Sequence, residues 1–137
     1  MANESHLAKL KKGVEAWNMW RRKKDKDVPD LTGADLTYAN LCGADLWHAD
    51  LTDADLTYAK LKDANLCYAK LTGAILIRTN LCGAHLCGAD LCGADLIDAV
   101  FIRANLTGLD LSRAILTRAN LRGANLTDTT LPPKRRR

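Results

Sequence analysis

The sequence predicts an all-β solenoid closed at its N-terminal end by an α-helical cap, and three observations predict it. From Leu31 to Leu131 an apolar residue falls on every fifth position, Leu throughout except for Phe101. Two residues before each of these, from 34 to 129, stands Ala, with Thr79, Leu109 and Thr129 as the exceptions. Residues 1–29 break this period and carry apolar residues at helical spacing instead.

A period of five suits neither ordinary element. On an α-helix, steps of about 100° per residue would scatter the Leu positions around every face. On a straight strand an odd period would send them alternately to opposite sides. A chain that runs extended for three residues, with Ala in, a polar residue out and Leu in, and then turns a corner satisfies the pattern. Corners of one hand close a ring, and stacked rings form a solenoid whose axis is filled by Leu and Ala. Ala suits the narrow interior beside the larger Leu. Core positions are therefore Leu36, Leu41, Leu46, Leu51, Leu56, Leu61, Leu81 and Phe101, with local adjustment expected near Thr79, Phe101 and Leu109.

Units such as Ala34-Asp35-Leu36-Thr37-Tyr38 and Ala89-Asp90-Leu91-Cys92-Gly93 resemble those of the pentapeptide-repeat family, and the likeness covers about three-quarters of the chain. The resemblance implies a right-handed quadrilateral β-helix, four pentapeptides to a coil, here about five coils over residues 30–131. The helix-then-repeat beginning is similar to that of bacterial, especially cyanobacterial, members. The motif is specific for fold and weak for function, because one fold carries several roles.

In the first segment, residues 1–29, Leu10, Val14, Trp17 and Trp20 continue a spacing that begins at Leu7, which predicts one amphipathic helix of about four turns. Ser5 or Asn3 would cap its start, and Pro29 would enforce an extended exit. The expected role is a lid over the open strand edge and core of the first coil. At the other end, Pro132 and Pro133 cannot extend a ladder, so residues 132–137 are expected to be a disordered basic tail.

Charge divides along the same boundaries. Residues 1–29 carry eight basic and four acidic side chains, and the tail adds four basic ones. Residues 30–131 carry twelve acidic and eight basic, so the basic character belongs to the ends. No apolar run approaches the roughly 18 residues of a membrane span, and no signal-peptide core is present. The expectation is a cytoplasmic chain without membrane contact, its five cysteines held as thiols.

The family's four-unit coil would stack residues twenty apart. One column then runs Asp30, Asp50, Lys70, Asp90, Asp110 as a charge ladder, and another Tyr38, Tyr58, Arg78, Asp98, Arg118 as stacking followed by cation–π and ion-pair contacts. Ile75, Ile77, Ile97, Val100 and Ile102 occupy outward positions on two adjoining faces. They read either as a partner or self-association surface or as β-branched residues suited to strands. Cys82, Cys87 and Cys92 lie on different faces, whereas Cys67, His85 and Cys87, with Asn65, share one. A flat wall supplies tetrahedral zinc geometry poorly, so no metal, cofactor or catalytic residue is assigned. His6, His48 and His85 have no recognisable nucleophile and acid around them, which points away from an enzyme.

The functional expectation is a non-catalytic, rigid scaffold that binds an unidentified protein, as a monomer or weak homodimer. Contact with nucleic acid is expected at most weakly, through the tail. The alternative, implied by the family resemblance, is a DNA mimic that binds DNA gyrase or another nucleic-acid-binding protein, with Asp35, Asp45, Asp50 and Asp55 supplying the anionic face.

Overall fold

The computed structural model describes residues 1–134. Within residues 30–131 the pentapeptide is the building unit. Each forms a turn closed by a bond from the Ala N–H to the preceding Leu C=O, as from Ala34 to Leu31 at 3.0 Å. The residue before that Ala takes a left-handed conformation, φ 67° at Gly33 and 61° at Tyr38. Leu then enters the next side of the ring, and four such corners bring the chain back above its start.

The pairing is parallel and joins residues twenty apart throughout. Four ladders result. Wall 1 holds Asp30, Asp50, Lys70 and Asp90; wall 2 holds Asp35, Asp55, Ile75, Asp95 and Ile115. Wall 3 holds Asn40, Lys60, Asn80, Val100 and Asn120; wall 4 holds Asp45, Asn65, His85, Asn105 and Asn125. Each link uses two backbone bonds: Leu41 N–H donates to Lys60 C=O at 2.7 Å, and Lys60 N–H to Ala39 C=O at 2.9 Å. The ladder satisfies the polar backbone that the buried Leu drags toward the axis.

Every core position named from the sequence is buried. Leu36, Leu41, Leu46, Leu51, Leu56, Leu61, Leu81 and Phe101 all lie within one continuous apolar cluster. Thr79, in an Ala slot, keeps its hydroxyl by donating to Leu56 C=O at 2.7 Å. Leu109 disturbs the stack more. Gly93 N–H donates to Arg113 C=O, one residue beyond the position its register predicts. Arg113 is also absent from the left-handed corner residues. Among the described residues, neither Leu91 N–H nor Asp110 N–H joins the ladder. A Leu where the corner accommodates Ala pushes this side of the coil outward, and wall 1 resumes only at Asp110–Thr130.

The cap corrects one expectation. Instead of a single helix there are two, α1 (Glu4–Lys11) and α2 (Val14–Lys23). The break falls at Gly13, whose φ of 120° is a conformation other residues rarely adopt. Of the two proposed start caps, Asn3 is used, its side chain accepting from His6 N–H at 3.2 Å, while Ser5 accepts from Lys9 Nζ. The pair acts as the expected lid. Leu10 and Trp17 are buried in the core cluster, with Val14 and Trp20 packed against it.

The lid also satisfies backbone groups that a preceding coil would have satisfied. Trp17 Nε1 donates to Asp45 C=O at 2.7 Å, and Asp45 N–H donates to Asn18 Oδ1 at 2.8 Å. Asp30 N–H donates to His6 Nδ1 at 3.0 Å, and Asn3 N–H to Asp30 C=O at 3.0 Å. Buried Arg21 bridges the linker to the first coil through Asp27 and Trp47 carbonyls, both at 2.8 Å. Pro29 leads into the first ladder position, as expected, its carbonyl accepting from Asp50 N–H.

The far end differs. Leu116, Leu121 and Leu126 are only partly buried, and Leu131 is 45 % exposed. Pro132 to Lys134 have no regular structure, and the rest of the proposed tail lies outside the described residues.

Two outcomes follow from this architecture. Leu81→Ala is expected to lower unfolding stability by about 2 to 5 kcal/mol in denaturant titration, because a fully buried side chain leaves a cavity on a rigid axis. Hydrogen exchange is expected to be faster at the amides of Leu91 and Asp110 than at Leu86 and Asn105, their ladder-bonded counterparts on wall 4.

Candidate interaction surface

With the axis filled, chemistry is confined to the outward columns. The column from Tyr38 to Arg118 forms as the register predicts. Tyr38 and Tyr58 stack at 5.0 Å with rings 6° from parallel, and Arg78 lies over Tyr58 at 5.5 Å while donating to its hydroxyl. Asp98 then accepts from Arg118 at 2.8 and 3.1 Å and lies 3.6 Å from Arg78. In the wall 1 column Asp30, Asp50, Lys70 and Asp90 stack, the pairing of Asp90 with Asp110 being lost at the break beside Leu109, and among the described residues Lys70 forms no ion pair with its Asp neighbours. It acts there by relieving repulsion, and contributes little.

Outward Asp and Asn residues are tied to their own turns. Asp35 Oδ1 accepts from Thr37 N–H at 3.1 Å and from its hydroxyl at 2.8 Å, and the pattern recurs at Asp55, Asn105 and Asn125. These bonds favour the charged carboxylate. Thr32 holds Asp30 below the usual carboxylate value, Thr37 does so for Asp35, and Ser112 for Asp110. At Asp98 the main cause is the bond from Arg118, with Arg78 adding to it.

The cysteines require a correction. Five thiols were expected, but Cys67 and Cys87 are joined by a disulfide across neighbouring coils. Their equivalent positions place the Cα atoms 4.7 Å apart, within the range a disulfide spans. Both sulfurs of the Cys67, His85, Cys87 cluster are thereby committed to a covalent bond. Cys42 is exposed, while Cys82 and Cys92 are half-buried on other walls. His48 stacks on Tyr68 at 5.2 Å and His6 is used by the cap, so both serve packing.

The aliphatic patch divides between walls. Ile75, Ile77 and Ile97 stand on wall 2, where Ile115 extends the strip; Ile75 is 36 % and Ile115 48 % exposed. Val100 and Ile102 stand around the corner on wall 3, half-buried.

The register also sorts charge, which the sequence reading did not resolve. Wall 1 gathers Asp30, Asp50, Asp53, Asp90 and Asp110 against Lys70 and Arg113. Wall 2 sets four Asp against two Arg, and wall 4 has Asp45 and Asp128 without a basic residue. Wall 3 reverses the sign, with Lys60, Lys62, Arg103 and Arg122 against Asp63 alone. The twenty-residue register already in hand would have shown this had charges been summed by column rather than by segment.

A four-sided parallel solenoid with a helical lid, its axis filled by Leu and Ala and its variable residues on the outside, defines a class of repeat protein. The family model described as pentapeptide repeats matches residues 30–66, 59–96 and 94–131, and the chain belongs to that family. Its members form right-handed quadrilateral β-helices. Among solved structures, a pentapeptide repeat protein of the Arabidopsis thaliana thylakoid lumen is 29 % identical with a TM-score of 0.58, over 76 % of this chain and 70 % of that one. One from the cyanobacterium Cyanothece is 38 % identical with a TM-score of 0.46, over 78 % and 67 %. HetL of the cyanobacterium Nostoc, involved in heterocyst differentiation regulation, is 39 % identical with a TM-score of 0.41, over 74 % and 43 %. No curated protein matches the chain.

The carboxylates predict an acid limit. Asp30, Asp35, Asp98 and Asp110 hold protons less tightly when folded than when unfolded, so the stability they contribute is complete above the ordinary carboxylate range. It is lost as pH falls through the lowered folded values. Tm is expected to be level from neutral pH to about 5 and to fall below about 4, with Asp98→Asn showing a shallower fall in calorimetry.

Proposed function

We propose that the chain is a non-catalytic scaffold whose rigid walls bind another protein. The observation that carries this is the group of exposed Ile75 and Ile115 and half-buried Ile77 and Ile97 around Asp95 on wall 2, on the outside of a solenoid whose interior is already filled. Aliphatic side chains left on a ladder that needs only polar residues there are a surface for desolvation by a partner. The filled axis supports the non-catalytic reading, since substrates are normally held in clefts. A cytoplasmic setting is retained as part of the proposal; there the Cys67–Cys87 pair would be open to reduction.

Affinity capture from cell lysate, paired with light scattering after size exclusion, tests this reading. The expected result is a monomer that retains a specific protein, with retention lost in Ile75→Asp/Ile97→Asp. A stable dimer broken by the same substitutions would make the strip a self-interface instead.

The DNA-mimic reading has one supporting observation, the run of acids on wall 1; of the four early-coil acids expected to supply its anionic face only Asp50 lies there, with Asp35 and Asp55 on wall 2 and Asp45 on wall 4. Inhibition of gyrase supercoiling that disappears on replacing Asp30, Asp50, Asp53 and Asp90 with Asn would favour it over the scaffold.

A further inference from the structure

Wall 3 is the one wall whose charge is positive, and its four cations are all exposed. Among the described residues none of them forms an ion pair; the ion pairs present are those of Asp98 on wall 2. A structural role would have set Asp opposite them at the twenty-residue spacing, as Asp98 is set between Arg78 and Arg118. Instead Lys62, Cys82, Ile102, Arg103 and Arg122 line an open groove of about 500 Å³, in which Asp63 is the sole acid. Lys11 of α1 stands at the cap end of the same wall, beside Asn40.

The arrangement along the wall is ordered. Lys60 and Lys62 lie in the second coil and Arg122 three coils further on, with Arg103 one coil before it; Cys82 and Ile102 form the apolar middle of the groove, flanked on the wall by Asn80 and Val100. At about 4.8 Å per coil the outer cations stand roughly 14 Å apart, about four residues of extended chain. Phosphate backbones find no use for an apolar centre, and wall 3 carries no aromatic side chain on which a base could stack.

Resting on the scaffold reading, we propose that wall 3 docks an acidic polypeptide segment, with carboxylates at either end of the groove and an aliphatic side chain between them seated on Cys82 and Ile102. Carboxylates would meet Lys62 at one end, with Lys60 beside it on the same wall, and the forked guanidinium groups of Arg103 and Arg122 at the other. Asp63 opposes the segment and limits its affinity.

The test uses the full chain and a fluorescently labelled peptide bearing a single Leu flanked on both sides by Glu pairs, read by anisotropy at low salt. Binding is expected, weakening on the order of tenfold in Lys62→Glu/Arg103→Glu/Arg122→Glu. Asp63→Asn is expected to tighten it, and Lys70→Glu/Arg113→Glu on wall 1 to leave it unchanged. Should the triple reversal lower Tm, the corresponding Gln triple replaces it, with the same direction expected. Absence of peptide binding, equal loss from the wall 1 variant, or tighter binding of an oligothymidine would overturn the assignment, the last making wall 3 a nucleic-acid surface. The scaffold reading is scored separately. If a lysate partner depends on Ile75 and Ile97 but is indifferent to the wall 3 reversal, the scaffold stands and this assignment falls.

Discussion

A Leu side chain on every fifth residue must leave water, and the backbone that carries it must go along. Burying Leu contributes on the order of 2 kcal/mol for each side chain before chain entropy is subtracted. Burying its peptide groups unpaired would more than cancel that. Stacking at twenty residues reconciles the two demands, because Leu41 N–H and Lys60 N–H are both paired as soon as one coil lies on the next. The left-handed corners, the Asx-type bonds accepted by Asp35 or Asn105 and the Thr79 hydroxyl bond are accommodations to that stacking. Where the accommodation is poor, at Leu109, the ladder opens while the core remains closed.

An edge of such a stack is costly, and the two ends treat it differently. The helical lid supplies partners to the first coil one atom at a time, through His6, Trp17, Asn18 and Arg21. Its specificity is in polar atoms as much as in the burial of Leu10 and Trp17. At the last coil the Leu column runs out toward Leu131 with its side chains progressively uncovered.

Much of this was legible in the sequence because a strict period leaves few geometries. The buried column follows from position modulo five and the lid from helical spacing where that period breaks, while the register and the Tyr38 to Arg118 sequence of contacts follow from the four-unit coil that the family resemblance implies. What escaped the reading depended on single residues acting against a pattern. Gly13 splits a helix whose apolar spacing continues unbroken across it, since a glycine's backbone freedom leaves no mark on the periodicity of its neighbours. Cys67 and Cys87 were placed together correctly, yet whether two adjacent sulfurs bond is a matter of redox chemistry and not of spacing. The positive wall was hidden by a different cause: along the chain its four cations are dispersed among acids, and they gather only when coils are superimposed.

The register gives this molecule two natural units of length variation. Loss of twenty residues removes one coil and leaves every remaining column on its own wall. Loss of five preserves the alternation of Leu and Ala, so the axis still fills, but each residue beyond the deletion is carried to the neighbouring wall. A lineage could thus keep its fold through a five-residue event while redistributing the pattern of charge its surface presents. In such proteins the face presented at any one direction can be recast by rotation of one part of the stack against the rest, without a single substitution.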